Sequence, residues 1–66
     1  MSPGDKVFYR NNGTNWRAHV TSVTSMEIVD VSVHDDTGLI MYGVVDAVLA
    51  VTAEDKETDG HWWPRP

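Results

Sequence analysis

The chain has 66 residues, five basic side chains against ten acidic ones, no cysteine and a net charge of −5. One domain of this size buries roughly 60% of its unfolded surface and is marginal alone, and without cysteine neither a disulfide nor a thiolate metal site can support it. Docking or oligomerisation is the expected supplement, and scattered cations on an acidic chain argue against nucleic acid, whose binders cluster them.

The opening MSPGDK carries no basic region followed by an apolar stretch, so it does not read as a signal peptide. No run reaches the roughly 18 apolar residues of a membrane span. A soluble protein made in a cytoplasm, with no membrane partner, is expected. Charge divides unevenly: residues 1–34 sum to zero, and residues 35–66 carry the whole −5.

Period-2 alternation and β-branched residues then dominate from residue 5 to residue 52. DKVFYR (5–10) predicts a first strand, with Val7 and Tyr9 on one face and Phe8 on the other. NNGTN (11–15) is turn chemistry, because Asn and Gly tolerate positive φ. WRAHVTSV (16–23) predicts a second strand that turns Trp16, Ala18 and Val20 one way and Arg17, His19 and Thr21 the other. MEIVDVSVH (26–34) alternates Val29, Val31 and Val33 with Asp30, Ser32 and His34, as in a sheet with one wet face. DDTG (35–38) signals a second tight hairpin, and LIMYGVV (39–45) a fourth strand with Gly43 as candidate bulge. DAVLAVTA (46–53) predicts a fifth strand in preference to a brief helix.

From Glu54 the pattern stops. EDKETDG reads as a solvated acidic linker, and HWWPRP follows it. Proline lacks the donor that a central strand requires, and Pro64 biases Trp63 towards an extended conformation. The expected division is therefore a barrel over 1–53, a linker over 54–59 and an aromatic–proline tail over 60–66. The tail would either cover an open end of its own barrel or insert Trp62 and Trp63 into a partner, with His61 and Pro64 beside them, as an interface hot spot does.

Other constellations point less far. His19, His34 and His61 have no metal-motif spacing, so neither metal nor cofactor is expected. Asp35 and Asp36 sit at a hairpin tip, where solvent would keep their pKa values together. Ser22, Ser25 and Ser32 lack a neighbouring base. With so small a chain offering little concavity for a substrate pocket, no enzyme and no small-molecule substrate are expected. Phe8, Tyr9, Trp16 and Tyr42, with Asp30, have the composition of a cation-binding aromatic cage. The same rings also suit plain core filling, since Trp16 shares a face with Ala18 and Val20.

Five short strands with tight turns predict an all-β fold, a small closed barrel without exposed edges. PGDKVFY, WRAHVTSV and VDVSVHDDTG resemble the SH3-like and Tudor-like barrels over roughly residues 3–52. The order of parts, from GDKV-Y through the RA-V strand and the Val-rich strand to the acidic stretch and the Trp–Pro ending, is similar to a group of very small proteins of tailed actinobacteriophages. Their ending runs Gly–Trp–His–Trp–Pro. Trp63 and Pro64 match it, while His61 and Trp62 stand in swapped order. The resemblance implies a non-enzymatic virion part, a minor capsid or decoration protein docked on the major capsid protein or on copies of itself. The alternative is a free adaptor that binds a host peptide or inhibits a host protein.

Overall fold

The computed structural model describes residues 1–66 and contains β1 (Lys6–Asn11), β2 (Thr14–Val23), β3 (Ile28–His34), β4 (Ile40–Leu49), a 3-10 turn (Asp55–Glu57) and β5 (His61–Pro64). The strands close into one barrel in the order β1-β2-β3-β4-β5. All neighbours are antiparallel except β4 and β5, which run parallel through Val48 opposite His61 and Leu49 opposite Trp62. The fold is that of a small all-β barrel, consistent with an SH3-like one.

The turns form where backbone chemistry demands them. Asn12 and Gly13 take φ of 51° and 72°, so two left-handed residues join β1 to β2 with Asn11 opposite Thr14. Between β3 and β4, Asp35 organises the hairpin with one carboxylate oxygen. That oxygen accepts from the Thr37 N–H at 2.9 Å, the Thr37 hydroxyl at 2.6 Å and the Leu39 N–H at 3.1 Å. Asp–Thr–Gly turns work through this side-chain capture of backbone donors.

Alternation sorts the faces as the sequence predicts. Val7, Tyr9, Ala18, Val20, Val29, Val31 and Val33 are buried, while Phe8, His19, Ser32 and His34 stand on the outer face. Only 11 of 66 residues are buried, and apart from Tyr9, Trp62 and Trp63 these are valines and alanines. Such small side chains leave the interior short of volume unless something large enters it.

Trp62 is what enters it. The fifth strand is His61–Pro64, and the segment expected as the fifth strand is split: 46–49 continue β4 without a break, and 50–53 belong to no strand. The closing residues are thus a barrel strand paired with both β1 and β4. Pro64 is accommodated for a definite reason. The Arg65 N–H donates to the Lys6 carbonyl at 3.1 Å. By the alternation of antiparallel ladders, Val7 and Pro64 then form a pair that exchanges no hydrogen bond, so the missing donor costs nothing towards β1. The acidic linker is ordered too. Asp55 Oδ2 accepts from the Val51 N–H, the Thr52 hydroxyl oxygen accepts from the Asp55 N–H, and the 3-10 turn follows.

Gly43 is not the bulge. It pairs in register with Ser32, and the irregularities lie on either side, around Met41 and around Val45–Asp46. Asp46 takes φ of 57° and its N–H donates to Asp30 Oδ1 at 2.9 Å. An aspartate that tolerates left-handed backbone and is held from the neighbouring strand serves the bulge without glycine.

Candidate functional site

The residues singled out from the sequence fall into separate places. Trp62 is 2% exposed, points into the barrel and donates its indole N–H to the Glu27 carbonyl at 3.1 Å. Trp63, its neighbour on the strand, faces the other way, yet it is covered as well. Phe8 tilts against it at 5.9 Å between centroids and the Lys56 ammonium sits 5.7 Å above it. His61 is half-buried and its Nδ1 donates to the Thr58 carbonyl at 3.0 Å, while Pro64 ends the strand. Both indoles are covered by the chain itself. Both belong to the barrel.

Phe8, Tyr9, Trp16 and Tyr42 do not surround one point. Phe8 lies outside, under the Arg65 guanidinium at 5.8 Å. Tyr9 is buried opposite Trp16 in the β1–β2 register. Trp16 and Tyr42 pack against the core edge and meet at Asn11, whose carbonyl accepts the Trp16 indole N–H and whose side-chain amide donates to the Tyr42 hydroxyl. Burial first, and then the nearby Tyr42 and Asp59, hold the Tyr9 phenol above its ordinary 10.0. Asp30 is engaged with the Asp46 backbone, away from these rings. The three inner aromatics fill an end of the core.

Two surfaces that the sequence reading did not single out carry more. One lies along β4. Leu39, Ile40, Met41 and Val45 are 68%, 58%, 47% and 75% exposed, and Val48 and Val51 continue the run. β4 pairs with β3 along its length but meets β5 only at Val48 and Leu49, so the stretch from Ile40 to Val45 has no strand on its second edge. The signal was present in LIMYGVV, a run without charge and without polar alternation. It also reads as an ordinary buried strand, which is why it passes unnoticed.

The other is a depression of about 490 Å³ on the outer face of β1, β2 and β3, with no hydrophobic side chain in its lining. A second hollow of about 330 Å³ adjoins it, and both touch Arg17 and His34. Lys6, Arg17, His19, His34 and Arg65 converge there from three strands and from the residue that follows β5. Sequence reasoning placed Arg17 and His19 outward; only strand register brings Lys6 opposite His19 and His34 opposite Arg17. No group of three His, Asp or Glu side chains stands close enough to hold a metal ion.

The geometry defines a class, a small closed β-barrel with an apolar free edge and a polar, cation-rich outer face. Comparison of the chain with family models, curated proteins and solved structures finds no match in any of the three.

Proposed function

We propose that this protein is a non-enzymatic structural part of a tailed-phage virion, made in the bacterial host cytoplasm and docked as a minor capsid or decoration protein on the major capsid protein. The observation that carries the reading is the uncharged free edge of β4, with Leu39, Ile40, Met41 and Val45 exposed along it. Natural proteins blunt edges of this kind with charge, proline or cover, since a bare apolar edge pairs with whatever strand it meets. An edge left bare in a protein that must stay soluble is one that has a partner. A shell of larger subunits is such a partner, and it also stabilises a thin-cored domain by binding only its folded state. The phage assignment itself rests on the likeness of the chain to small actinobacteriophage proteins.

With Trp62 and Trp63 committed to the barrel, anchoring passes to β4. Mass spectrometry of gradient-purified particles tests the reading: the protein is expected in stoichiometric amount. The double variant Ile40→Lys/Val45→Lys, folded by circular dichroism, is expected to be missing from particles. Particles that lack the wild-type protein, or that retain the double variant in full, would sink the proposal. The same edge also suits strand addition by an extended host peptide. Recovery of the protein from infected cells with a host protein, and never from particles, selects that free-adaptor reading.

A further inference from the structure

The polar depression on the outer face is an electrostatic anomaly. The chain carries twice as many acids as bases, yet three of its five basic side chains and two of its three histidines line this one hollow. Within it the cross-strand partners are Lys6 opposite His19 and Arg17 opposite His34. Directly opposed groups that carry or can carry like charge destabilise a sheet, and carboxylates were plentiful enough to occupy those positions instead. Only one ion pair relieves the cluster. It joins Arg17 to Asp36 at 4.0 Å, with the Asp36 side chain 96% exposed. Asp35, the other acid at the rim, has its carboxylate taken up by donors of its own turn. Arg65 offers one long bond to the Ala18 carbonyl at 3.5 Å, and its Nε is buried with no acceptor. A cluster in which donors outnumber the acceptors beside them is the complement of an anion.

We propose that this depression binds a phosphate group, with Lys6, Arg17 and Arg65 as its cationic donors and the His19 and His34 rings beside them. Charge selects the dianion over a carboxylate. A carboxylate is matched by one bidentate guanidinium, whereas here two guanidinium groups and an ammonium converge from separate elements. His34 Nδ1 lies 3.2 Å from the Asp35 carbonyl, which can only accept, so Nδ1 carries the hydrogen of that contact. His19 stacks on His34 at 5.8 Å between centroids, inside the same hollow. The charged groups facing the two rings are Lys6, Arg17 and Arg65 on one side of the balance and Asp35 and Asp36 on the other, a single net positive charge that a dianion more than neutralises. The site lies apart from the apolar edge of β4 and does not depend on docking there.

The test is titration calorimetry and ring-proton NMR of the full chain at constant ionic strength, with inorganic phosphate in one arm and glycerol 3-phosphate in the other. Saturable binding of either supports the assignment, and the tighter of the two identifies the source of the phosphate group. Loss of one charge-assisted donor weakens binding roughly tenfold, so Lys6→Gln and Arg17→Gln, both at exposed positions, are expected to show that loss while Lys56→Gln binds as wild type. The proposal is overturned by absence of saturable binding, by acetate binding as tightly as phosphate, or by Lys56→Gln weakening binding as much as Arg17→Gln.

Discussion

Trp62 illustrates how much a single residue can decide in a domain this small. It is the one large aromatic side chain among the fully buried residues, in one core cluster with Val7, Val20, Val29, Val31 and Val33. Truncating a buried tryptophan costs about 3–5 kcal/mol. A natural domain of this length is stable by roughly 3–10 kcal/mol, so Trp62→Ala is expected to lose a third or more of its stability, as thermal or urea melting followed by circular dichroism would show. Tyr9 makes a second, pH-dependent case. Its folded pKa lies above the ordinary 10.0, chiefly through burial. The folded state therefore holds the phenolic proton longer than the unfolded chain does, and this contribution is complete below that value and lost as pH rises through the folded one. Tyr9→Phe is expected to lose less melting temperature than wild type above pH 10, and an equal loss in the two proteins would refute the assignment. At Asp46, φ of 57° favours glycine and tolerates aspartate. Asp46→Ala is expected to lower the melting temperature more than Asp46→Gly does.

Among the elements, β5 and β4 define the molecule's character between them. β5 supplies Trp62 to the core, Trp63 to the layer outside it and hydrogen-bonded neighbours to β1 and β4. Removing residues 61–66 takes away a strand rather than a tail. The truncated chain is expected to lose its cooperative unfolding transition, and full-length protein is expected to show blue-shifted tryptophan emission as a monomer. Red-shifted emission in a monomer would contradict the burial of Trp62 and Trp63. The four strands before β5 were legible from sequence because valine alternation at 29, 31 and 33 and the Asn–Gly and Asp–Thr–Gly turns are local signals. β5 was not, because it is four residues long and ends in proline. Its pairing depends on the register with β1, which only the folded chain establishes. The extent of β4 was misjudged for a related reason: Asp46 behaves as a turn residue in sequence and as a bulge within a continuous strand in the barrel.

For the whole molecule, charge and shape act together. The acidic second half runs from the hairpin through β4 and the 3-10 segment to β5, folded within a molecule of 28 × 25 × 21 Å. Two of its carboxylates couple stability to acid. Asp35 is held below the ordinary 3.8 first by the Thr37 side chain and then by backbone N–H groups of its turn. Asp55 is held below the same value first by the Val51 N–H, with His61 and Thr52 adding to it. Folded values below the unfolded ones mean that this stabilisation is present above about pH 4 and is lost as pH falls through the folded values. Asp35→Asn/Asp55→Asn is expected to melt lower than wild type at neutral pH and to converge with it near pH 2. Parallel acid limbs in the two proteins would show that these carboxylates are not the ones that couple. The outer surface separates into an apolar edge on β4 and a cation-rich hollow on β1–β3.

By itself the sequence determined what is local: an all-β chain, the inward and outward faces of three strands, the tight turns and the absence of any thiol chemistry. Those follow from side-chain period and backbone preference within a few residues. Which residues meet was decided by the tertiary structure alone. Trp62 reaches the core, and Lys6 and Arg65 reach Arg17 and His34, because barrel closure brings the two ends of the chain together, while LIMYGVV keeps a bare edge because β5 meets β4 only at Val48 and Leu49. Closure over some fifty intervening residues is a long-range event, and no pattern confined to a short window records it.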